Sequence, residues 1–543
     1  MAMMESPLNS WMLFSHAERY FGATEVVTQL APGQRHRYTY ADFAKRAQQL
    51  MHALDRLGLE EGARVATLAW NGYRHLECYF AIPCGKRIAH TLNPRLPLSD
   101  LEFIINDAED QVILVESNLL PLLDRLWPSL AVKPRVVVLD QGIGESVIEG
   151  RIAYEDMISD EAKAYPRREI PELTPLGLCY TSGTEGRPKG VMYTHRSTFL
   201  HALAITSGGA IGFGPSDAIL PVVPMFHVNA WGIPYGATLV GCKQVFNGPN
   251  FDAPTLVDLI ADEEVTVASG VPTVWMAVAD ELSRRNQRLP ALRHLTVGGS
   301  QPPRAMIERY QREFGITIIQ GWGMTETSPV GSMAIPKHTM RGWSEERLTA
   351  EVRSKAGLPL PGIDVRIVDP LGEELPWDGS SMGELLIRGP WVADSYYKGV
   401  GEDRFTKDGW LRTGDVAVAS PEGYFVIVDR TKDLIKTGGE WISSVDMEGA
   451  LMGMEGVAEA AVIGVPDPKW QERPMAVVTP RPGAELSLAT VRKYLEEHGW
   501  ARWQLPDRVE VVEAIPKTSV GKFDKKVMRR QFGSPPADGP SAR

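Results

Sequence analysis

The ten residues TSGTEGRPKG, from Thr181 to Gly190, directly follow an apolar stretch at 176–180. Such a loop can wrap polyphosphate oxygens, because glycine lets the backbone approach closely and the hydroxyl, ammonium and N–H groups supply donors. The loop is not a Walker A motif, since Pro188 and Val191 stand where the spacing G-x-x-x-x-G-K-[ST] requires the second glycine. The sequence therefore indicates a phosphate loop outside the P-loop kinase and GTPase class, with an ordinary glycine-rich turn as the alternative.

The segments around this loop alternate between two kinds of pattern. Short apolar runs rich in β-branched residues predict buried strands at 64–70, 111–116, 135–140, 265–270 and 316–320. Amphipathic stretches predict helices at 99–106, 255–263 and 303–314. In the first of these, Ser99 and Glu102 form the capping-box pattern of a helix start. This alternation predicts an α/β fold with doubly wound, mostly parallel sheets.

The pattern changes twice in the carboxyl-terminal part of the chain. After about Gly357, short strands with turn signals predict a small antiparallel or β-barrel-like unit, at 364–369, 384–388 and 424–429. A compact α+β unit follows, with helices and strands predicted at 445–452, 458–465, 475–479 and 488–498. We therefore predict a large N-terminal domain over 1–431, a small C-terminal domain over 432–532 and a disordered tail over 533–543.

Composition excludes several classes of protein. The 543 residues include 57 Lys and Arg against 68 Asp and Glu, a net charge of −11, so no bulk positive field is present to hold nucleic acid. Four cysteines with neither zinc nor CxxC spacing, and an amino terminus without a signal-peptide pattern, predict a cytoplasmic protein. The uncharged stretch 218–242 contains three prolines, so we expect strand and loop there rather than stable membrane insertion.

Three further motifs follow the loop. GWGMTE starts at Gly321 after a predicted strand, Thr413-Gly414-Asp415 lies in the short-strand region, and PKTSVGK ends at Lys522. With these motifs in this order and spacing, the chain resembles the adenylate-forming superfamily of acyl-CoA synthetases, luciferases and adenylation domains, from about residue 10 to about residue 530. The resemblance implies an N-terminal adenylation domain and a mobile C-terminal domain with a hinge near Lys432.

The resemblance also implies the residues that bind and activate ATP. The loop would close on the β- and γ-phosphates, Asp415 would hold the ribose hydroxyls, and glycine-rich segments would flank adenine. Lys522 would stabilise the charge that develops when a substrate carboxylate attacks the α-phosphate. The implied catalytic residues are Lys522, Thr184, Glu326 and His227, of which Thr184 and Glu326 would hold Mg²⁺. The implied nucleotide-binding residues are Thr181, Ser182, Gly183, Thr184, Gly186, Lys189, Gly299, Ser300, Gln320, Gly321, Trp322, Gly323, Thr325, Asp415, Arg430 and Lys522.

Three segments, which begin at Pro224, Gly438 and Pro468, resemble bacterial medium- to long-chain fatty acyl-CoA synthetases and 3-methylmercaptopropionyl-CoA ligases in particular. The resemblance implies transfer of the acyl group to coenzyme A, with release of AMP and pyrophosphate. The implied coenzyme A and acyl site comprises Trp231, Val330, Lys436, Gly438, Gly439, Glu440 and Trp441. A small carboxylic acid is the expected partner, and a homodimer is possible.

Alternatives remain at several points. The apolar residues near the expected pocket favour a fatty acid, with a short-chain, methylthio- or aryl-carboxylate CoA ligase and a non-catalytic nucleotide-binding relative as alternatives. His227 would position the carboxylate or the thiol, or is a satisfied core histidine. Tyr235 belongs either to the pocket or to the core.

Two residues depart from the common pattern of the superfamily. Glu185 stands in the phosphate loop where many relatives have Ser or Thr, so we expect its carboxylate to turn outward or to pair with Arg187 or the metal. Trp322 stands where relatives usually have Tyr, which keeps a stacking face for adenine but removes a phenolic hydroxyl. ATP binding is expected to survive the change at Trp322, whereas the change at Glu185 argues against a direct phosphate contact by that residue.

Overall fold

The α/β alternation produces two large sheets in the N-terminal part of the protein. The computed structural model describes residues 3–140, 142–181, 187–438, 440–518 and 522–533. The first sheet has seven strands, in the spatial order Ile152–Ala153, Arg135–Val138, Val112–Val115, Arg64–Leu68, Ile88–Thr91, Pro175–Tyr180 and Gly190–Thr194. All neighbours are parallel except the last pair, which brackets the phosphate loop as an antiparallel hairpin.

The second sheet has nine strands. Their order is Leu358–Pro359, Val330–Met333, Thr317–Gly323, His294–Val297, Val267–Gly270, Ala218–Pro221, Lys243–Phe246, Glu25–Ala31 and Gln34–Thr39. The six strands from Thr317–Gly323 to Glu25–Ala31 are parallel, and the pairs at both margins are antiparallel. Such strands are buried on both faces, as the fully buried His294–Val297 shows.

Helices cover the sheets and join their strands. In the large domain they span Ser10–Tyr20, Tyr40–Arg56, Tyr73–Cys84, Leu98–Ala108, Leu120–Leu126, Tyr154–Ser159, His195–Thr206, Ile233–Val240, Ala253–Asp262, Pro272–Arg285, Arg304–Arg309 and Glu345–Leu348. A further turn, Val228–Trp231, is left-handed at all four residues, with φ between 46° and 59°.

Two helix starts differ from the sequence pattern. The capping box predicted at Ser99 is wrong, because the helix begins at Leu98 after Pro97 and no side chain caps it. Pro97 is the residue before the helix, with a ψ of 146°, so Ser99 lies inside the first turn, where its side chain does not cap the helix. The helix predicted from residue 255 begins at Ala253, and Asp252 caps it by accepting the Thr255 N–H at 2.9 Å.

The carboxyl-terminal third contains two smaller sheets. The unit predicted to be barrel-like or antiparallel is a four-stranded antiparallel sheet of Asp364–Val368, Met382–Arg388, Leu411–Ala419 and Phe425–Arg430. The following α+β unit contains Ile435–Thr437, Glu440–Ile442, Val457–Asp467, Gln471–Pro480 and Arg508–Val511, with helices Ser444–Met452, Leu488–Glu497 and Lys525–Phe532. Of the predicted tail, only Gly533 lies within the described residues.

The stretch 218–242 contains the predicted buried strand, Ala218–Pro221, and the turn Val228–Trp231. The loop predicted after them is wrong, because Ile233–Val240 is a helix that accommodates Pro234 in its first turn. Across the part of the chain that the structure describes, no helix is both long enough and apolar enough to cross a membrane. All four cysteines are buried and unpaired.

Candidate active site

A cavity of about 170 Å³ lies where strands of both large sheets end. Thr181 follows the strand Pro175–Tyr180 of the seven-stranded sheet, and Gly298 follows His294–Val297 of the nine-stranded sheet; both residues line the cavity. The carboxyl ends of parallel strands meet at one edge, which is where open α/β sheets bind ligands. The position of the cavity therefore follows from the topology of the two sheets.

The cavity brings together half of the residues that the sequence predicted for the site. Those that line it are Thr181, Lys189, His227, Trp231, Gly299, Gly321, Trp322, Gly323, Thr325, Glu326, Val330, Arg430 and Lys522. An adjoining groove between the two domains is lined by further predicted residues, namely Ser300, Gln320, Asp415 and Lys432. Elements between Thr181 and Lys522 thus converge on one place.

Some predicted residues lie elsewhere. Ser182, Gly183, Thr184, Glu185, Gly186 and Gly439 fall outside the described residues. Lys436, Gly438, Glu440 and Trp441 form an exposed hairpin of the small domain and line neither the cavity nor the groove. In this conformation the implied coenzyme A segment is therefore separate from the nucleotide residues.

The base of the phosphate loop is closed by two hydrogen bonds. The Thr181 N–H donates to the Lys189 carbonyl at 2.9 Å, and the Lys189 N–H donates to the Thr181 hydroxyl at 3.0 Å. Beside them, the Arg187 guanidinium lies 5.2 Å from the centre of the Phe103 ring. Both ends of the loop are fixed at the entrance to the cavity.

The Asp415 carboxylate is held from two sides. The Trp322 indole N–H donates to its Oδ2 at 2.9 Å, and Arg430 Nε lies 2.6 Å from its Oδ1. The Asp415 N–H donates to the Thr413 hydroxyl at 3.0 Å. Its side chain is only 3% exposed. The indole therefore supplies a polar contact to this carboxylate as well as an aromatic face.

Glu326 presents a second carboxylate to the cavity. The Tyr396 hydroxyl donates to Glu326 Oε1 at 2.5 Å, and the Lys189 ammonium lies 4.9 Å from the centre of the Tyr396 ring. The Tyr193 hydroxyl fixes the neighbouring Thr325 by donating to its carbonyl at 2.7 Å. This arrangement holds one oxygen of Glu326 in a defined direction.

Lys522 enters the cavity from the small domain. A Cβ atom built on Gly299 would lie 3.8 Å from Lys522 Cε, which places the lysine beside the glycine-rich turn of the large domain. Burial, together with the Arg430 cation, lowers the pKa of Lys522 to about 8 against the opposing effect of Asp415 and Glu326. Among the described residues, none forms an ion pair with its ammonium group.

His227 lies at the same cavity and is neutral at ordinary pH. Burial, aided by the Lys522 cation, lowers the pKa of His227 to about 3. A neutral imidazole can donate or accept one hydrogen bond, but it carries no charge to attract a carboxylate. His227 is therefore suited to orienting a ligand rather than to neutralising it.

One wall of the cavity is apolar. Trp231, Val330 and Met333 line it and belong to a single buried hydrophobic cluster. Val330 is fixed on both sides, since its N–H donates to His201 Nε2 at 3.1 Å and its carbonyl accepts the Trp391 indole N–H at 3.1 Å. Tyr235 does not belong to this wall.

Tyr235 is buried in the core, where its ring stacks on Tyr79 at 5.4 Å.

Glycine is required at position 298, at the edge of the cavity. A Cβ atom at that position would lie 2.9 Å from both the Gly321 carbonyl oxygen and the Trp231 ring. Glycine therefore permits the close approach of these two walls.

The junction between the domains carries a second buried lysine. Lys525 lies 2.8 Å from Glu448 and also donates to the Ser444 hydroxyl, which in turn donates to Asp429 of the large domain. Although burial alone would lower the pKa of Lys525, the Glu448, Asp429 and Asp433 carboxylates raise it. This network links the last strand of the large domain to two helices of the small domain.

Sequence reasoning missed several residues of the cavity. Tyr396 and Arg404 both line it, and Arg404 donates to the Thr413 carbonyl at 2.8 Å. Thr296 also lines it, and its buried hydroxyl has no hydrogen-bond partner within the described part of the chain. None of these residues lies in a glycine-rich or otherwise distinctive motif, so no signal in a single sequence marks them.

Comparison with known proteins agrees with this geometry. The family model "AMP-binding enzyme" matches residues 13–397, and the model "AMP-binding enzyme C-terminal domain" matches residues 446–522. A long-chain-fatty-acid–CoA ligase of Thermus thermophilus is 48% identical over 533 residues, which cover 98% of this chain and 96% of the relative. A 3-methylmercaptopropionyl-CoA ligase of Ruegeria lacuscaerulensis is 40% identical, with 98% of each chain covered.

Solved structures share the fold. An anthranilate CoA ligase in complex with anthranoyl-AMP superimposes with a TM-score of 0.86 at 24% identity, over 97% of this chain and 99% of that chain. MatB from Rhodopseudomonas palustris, solved with ATP bound, gives a TM-score of 0.82 at 25% identity with the same coverage. The chain belongs to the AMP-binding enzyme family, within the adenylate-forming superfamily of ligases.

Proposed function

We propose that the protein is an ATP-dependent acyl-CoA synthetase that joins a fatty acid to coenzyme A through an acyl adenylate. The observation that carries this proposal is the position of Lys522. Its ammonium group reaches from the small domain into the cavity. The predicted nucleotide-binding residues line one side of this cavity, and the apolar wall lines the other. Within the described parts of the chain no carboxylate forms an ion pair with this cation, which supports its availability to a ligand.

The first half-reaction brings two anions together, because the carboxylate of the acid attacks the α-phosphate of ATP. Lys522 lowers the repulsion between them and stabilises the charge that develops on the transferred phosphate. Asp415 holds the ribose, and the base of the loop at Thr181 and Lys189 positions the triphosphate. The carboxylate oxygen forms a bond to the α-phosphorus, and pyrophosphate leaves.

The residues present fit a magnesium ion bound together with ATP. Glu326 offers one carboxylate whose Oε1 already accepts the Tyr396 hydroxyl, which leaves Oε2 for a ligand. Mg²⁺ is commonly held by one or two carboxylates together with substrate phosphates rather than by an all-protein cage. In keeping with this, the described residues contain no cluster of three or more candidate metal ligands. The ion supplies positive charge to the phosphates when bound, with Thr184 as the second predicted ligand.

The apolar wall supports a fatty acid as the substrate. Trp231, Val330 and Met333 offer hydrocarbon contacts and no cation that would pair with a second carboxylate. The relatives named for long-chain and medium-chain fatty acids support the same choice. Each buried methylene contributes only ~0.8 kcal/mol. A methylthio-, short-chain or aryl acid is therefore the competing substrate.

We propose that thioester formation follows a rotation of the small domain about Lys432, with the domain boundary at 431/432. The exposed hairpin that carries Lys436, Gly438, Glu440 and Trp441 then replaces Lys522 at the cavity and borders the path of the thiol. Rotation is required because Lys522 must leave the cavity before coenzyme A can enter it. The thiolate attacks the acyl carbon, and AMP leaves.

Two further statements belong to this proposal. The four buried, unpaired cysteines support a reducing cytoplasmic location. A homodimer is part of the same proposal, and analytical ultracentrifugation of the purified protein tests it.

The experiment that tests the function is release of pyrophosphate from ATP with a panel of straight-chain, methylthio- and aryl acids. Straight-chain acids should give the highest kcat/KM, and coenzyme A should convert the product to a thioester. Preference for an aryl acid would contradict the fatty acid assignment. Absence of acid-dependent release with every member of the panel would support a nucleotide-binding protein without this activity.

A further inference from the structure

Trp322 occupies a position that a stacking role alone does not explain. Its indole N–H points at Asp415 Oδ2, at 2.9 Å, and the edge of the ring meets Phe425 with a centroid distance of 5.6 Å. Gly331 makes room for the indole, since a Cβ atom there would lie 2.9 Å from the six-membered ring. The ring is therefore held in one orientation, with its N–H directed at a carboxylate.

The carboxylate that receives this bond has little freedom to turn. Arg430 Nε lies 2.6 Å from the other oxygen, and the side chain is 3% exposed. A carboxylate has about four acceptor positions, so each oxygen of Asp415 keeps one for a further donor. Two adjacent hydroxyl groups of a ribose are donors of matching geometry, and they need both oxygens presented at once.

We propose that Trp322 is a positioning residue for the nucleotide: its N–H orients the Asp415 carboxylate toward the ribose diol and so sets the selectivity for ribonucleotides over deoxyribonucleotides. The proposal rests on the proposed function only in taking ATP as the ligand of this site. Without the indole donor, Arg430 still holds Oδ1 but Oδ2 loses the contact that directs it, so the carboxylate accepts the two hydroxyl groups less well. A deoxyribonucleotide, which offers one hydroxyl, loses less from that change.

The test is calorimetric binding of MgATP, 2′-deoxyATP and 3′-deoxyATP to the full-length protein, without acid or coenzyme A. The variant Trp322→Phe keeps an aromatic face and removes the donor. We expect the Kd for ATP to rise about tenfold, because a ribose hydroxyl then makes a weaker hydrogen bond to the charged Asp415 carboxylate. The Kd for at least one deoxynucleotide should change less than threefold, so that the selectivity falls.

Two matched variants distinguish a positioning role of the Trp322 N–H from a packing role of its ring. Phe425→Leu disturbs the edge of the indole but keeps its N–H, and should retain the selectivity of the original protein. Replacement of Trp322 by 3-benzothienylalanine keeps the shape of the indole and exchanges only the N–H for sulfur. It should raise the Kd for ATP and lower the nucleotide selectivity in the same way as Trp322→Phe. It also keeps the test decisive if the phenylalanine variant does not fold.

An equal rise in Kd for all three nucleotides, or no change with the benzothienyl residue, would overturn the inference. The same measurements distinguish this failure from failure of the proposed function. Intact nucleotide selectivity without acid-dependent release of pyrophosphate would contradict the ligase assignment alone. Acid-dependent release with unchanged selectivity in the variants would contradict the role of Trp322 alone.

Discussion

Lys522 and Lys525 are three residues apart in the sequence, but they differ in ion pairing and in the direction of their pKa shifts. Lys522 faces the cavity, has no ion pair with any described residue, and has its pKa lowered to about 8 by burial. Lys525 faces the domain junction, contacts Glu448 at 2.8 Å, and has its pKa raised by surrounding carboxylates. Lys525 is therefore paired within the protein, whereas the ammonium group of Lys522 faces the proposed ligand site.

The difference indicates how the small domain combines two tasks. Lys525 and its partners Glu448, Ser444 and Asp429 fix the orientation in which Lys522 reaches the large domain. An unpaired buried charge reduces stability, whereas a paired one contributes to a defined geometry. On the proposed function, the lysine that acts on the ligand is thus held in place by a neighbouring lysine that is paired within the protein.

The largest expected effect is loss of adenylation in Lys522→Met. Removal of one group that stabilises developing charge commonly costs ~3 kcal/mol, a hundredfold or more in rate. We expect kcat for acid-dependent pyrophosphate release to fall by that factor. As a control, Lys493→Met removes an ammonium that is 76% exposed on the same domain, and it should leave the rate within twofold.

Lys525→Met should lower the free energy of unfolding more than it lowers the rate of adenylation. It leaves the Glu448 and Asp429 carboxylates buried without their cation, which costs about 3 kcal/mol. Urea unfolding followed by circular dichroism measures this loss. The double variant Lys525→Met with Glu448→Leu should recover most of the stability. Abolished adenylation in a fully folded Lys525→Met protein would contradict the division of roles between the two lysines.

The rate should depend on pH through Lys522. The active form is the cation, which predominates below its pKa of about 8, so kcat/KM for ATP should fall as pH rises through about 8. The fall should approach tenfold per pH unit. In Lys522→Arg the charge persists above pH 12, so any remaining activity should lack this decline. A flat profile for the original protein between pH 7 and 10 would refute the assignment.

The smallest expected effect concerns stability at the same residue. The pKa of Lys522 is lower in the folded than in the unfolded protein, so the unfolded state binds more protons between about pH 8 and the ordinary lysine value. Its burial therefore destabilises the protein at pH 7, and less so as pH rises. Lys522→Met should be more stable at pH 7 by ~1 kcal/mol after solvent screening is considered. Thermal unfolding at pH 7 and pH 10 should show the advantage only at the lower pH.

Much of the fold could be predicted from the sequence. The short apolar runs at 64–70 and 316–320 became strands Arg64–Leu68 and Thr317–Gly323, because strands buried on both faces have few polar residues. Helix starts were less predictable. Pro97 and Asp252 each began a helix that the apolar pattern placed one or two residues later, since capping depends on backbone geometry.

The site was predictable where a motif marks it. Thr181, Trp322, Asp415 and Lys522 were all found from glycine-rich or charged motifs. The hydrogen bond from Trp322 to Asp415 was not, because the two residues are 93 positions apart and only the packing of two sheets joins them. The same reason hides the hydrogen bond between Tyr396 and Glu326.

The central claim, that Lys522 serves adenylation and is withdrawn before thioester formation, is tested most directly by measuring both half-reactions of one protein preparation. Lys522→Met and the original protein are compared in ATP–pyrophosphate exchange with decanoic acid and in conversion of supplied decanoyl adenylate and coenzyme A to thioester. We predict a loss of about a hundredfold or more in the first reaction and less than threefold in the second. Equal loss in both reactions would contradict the account.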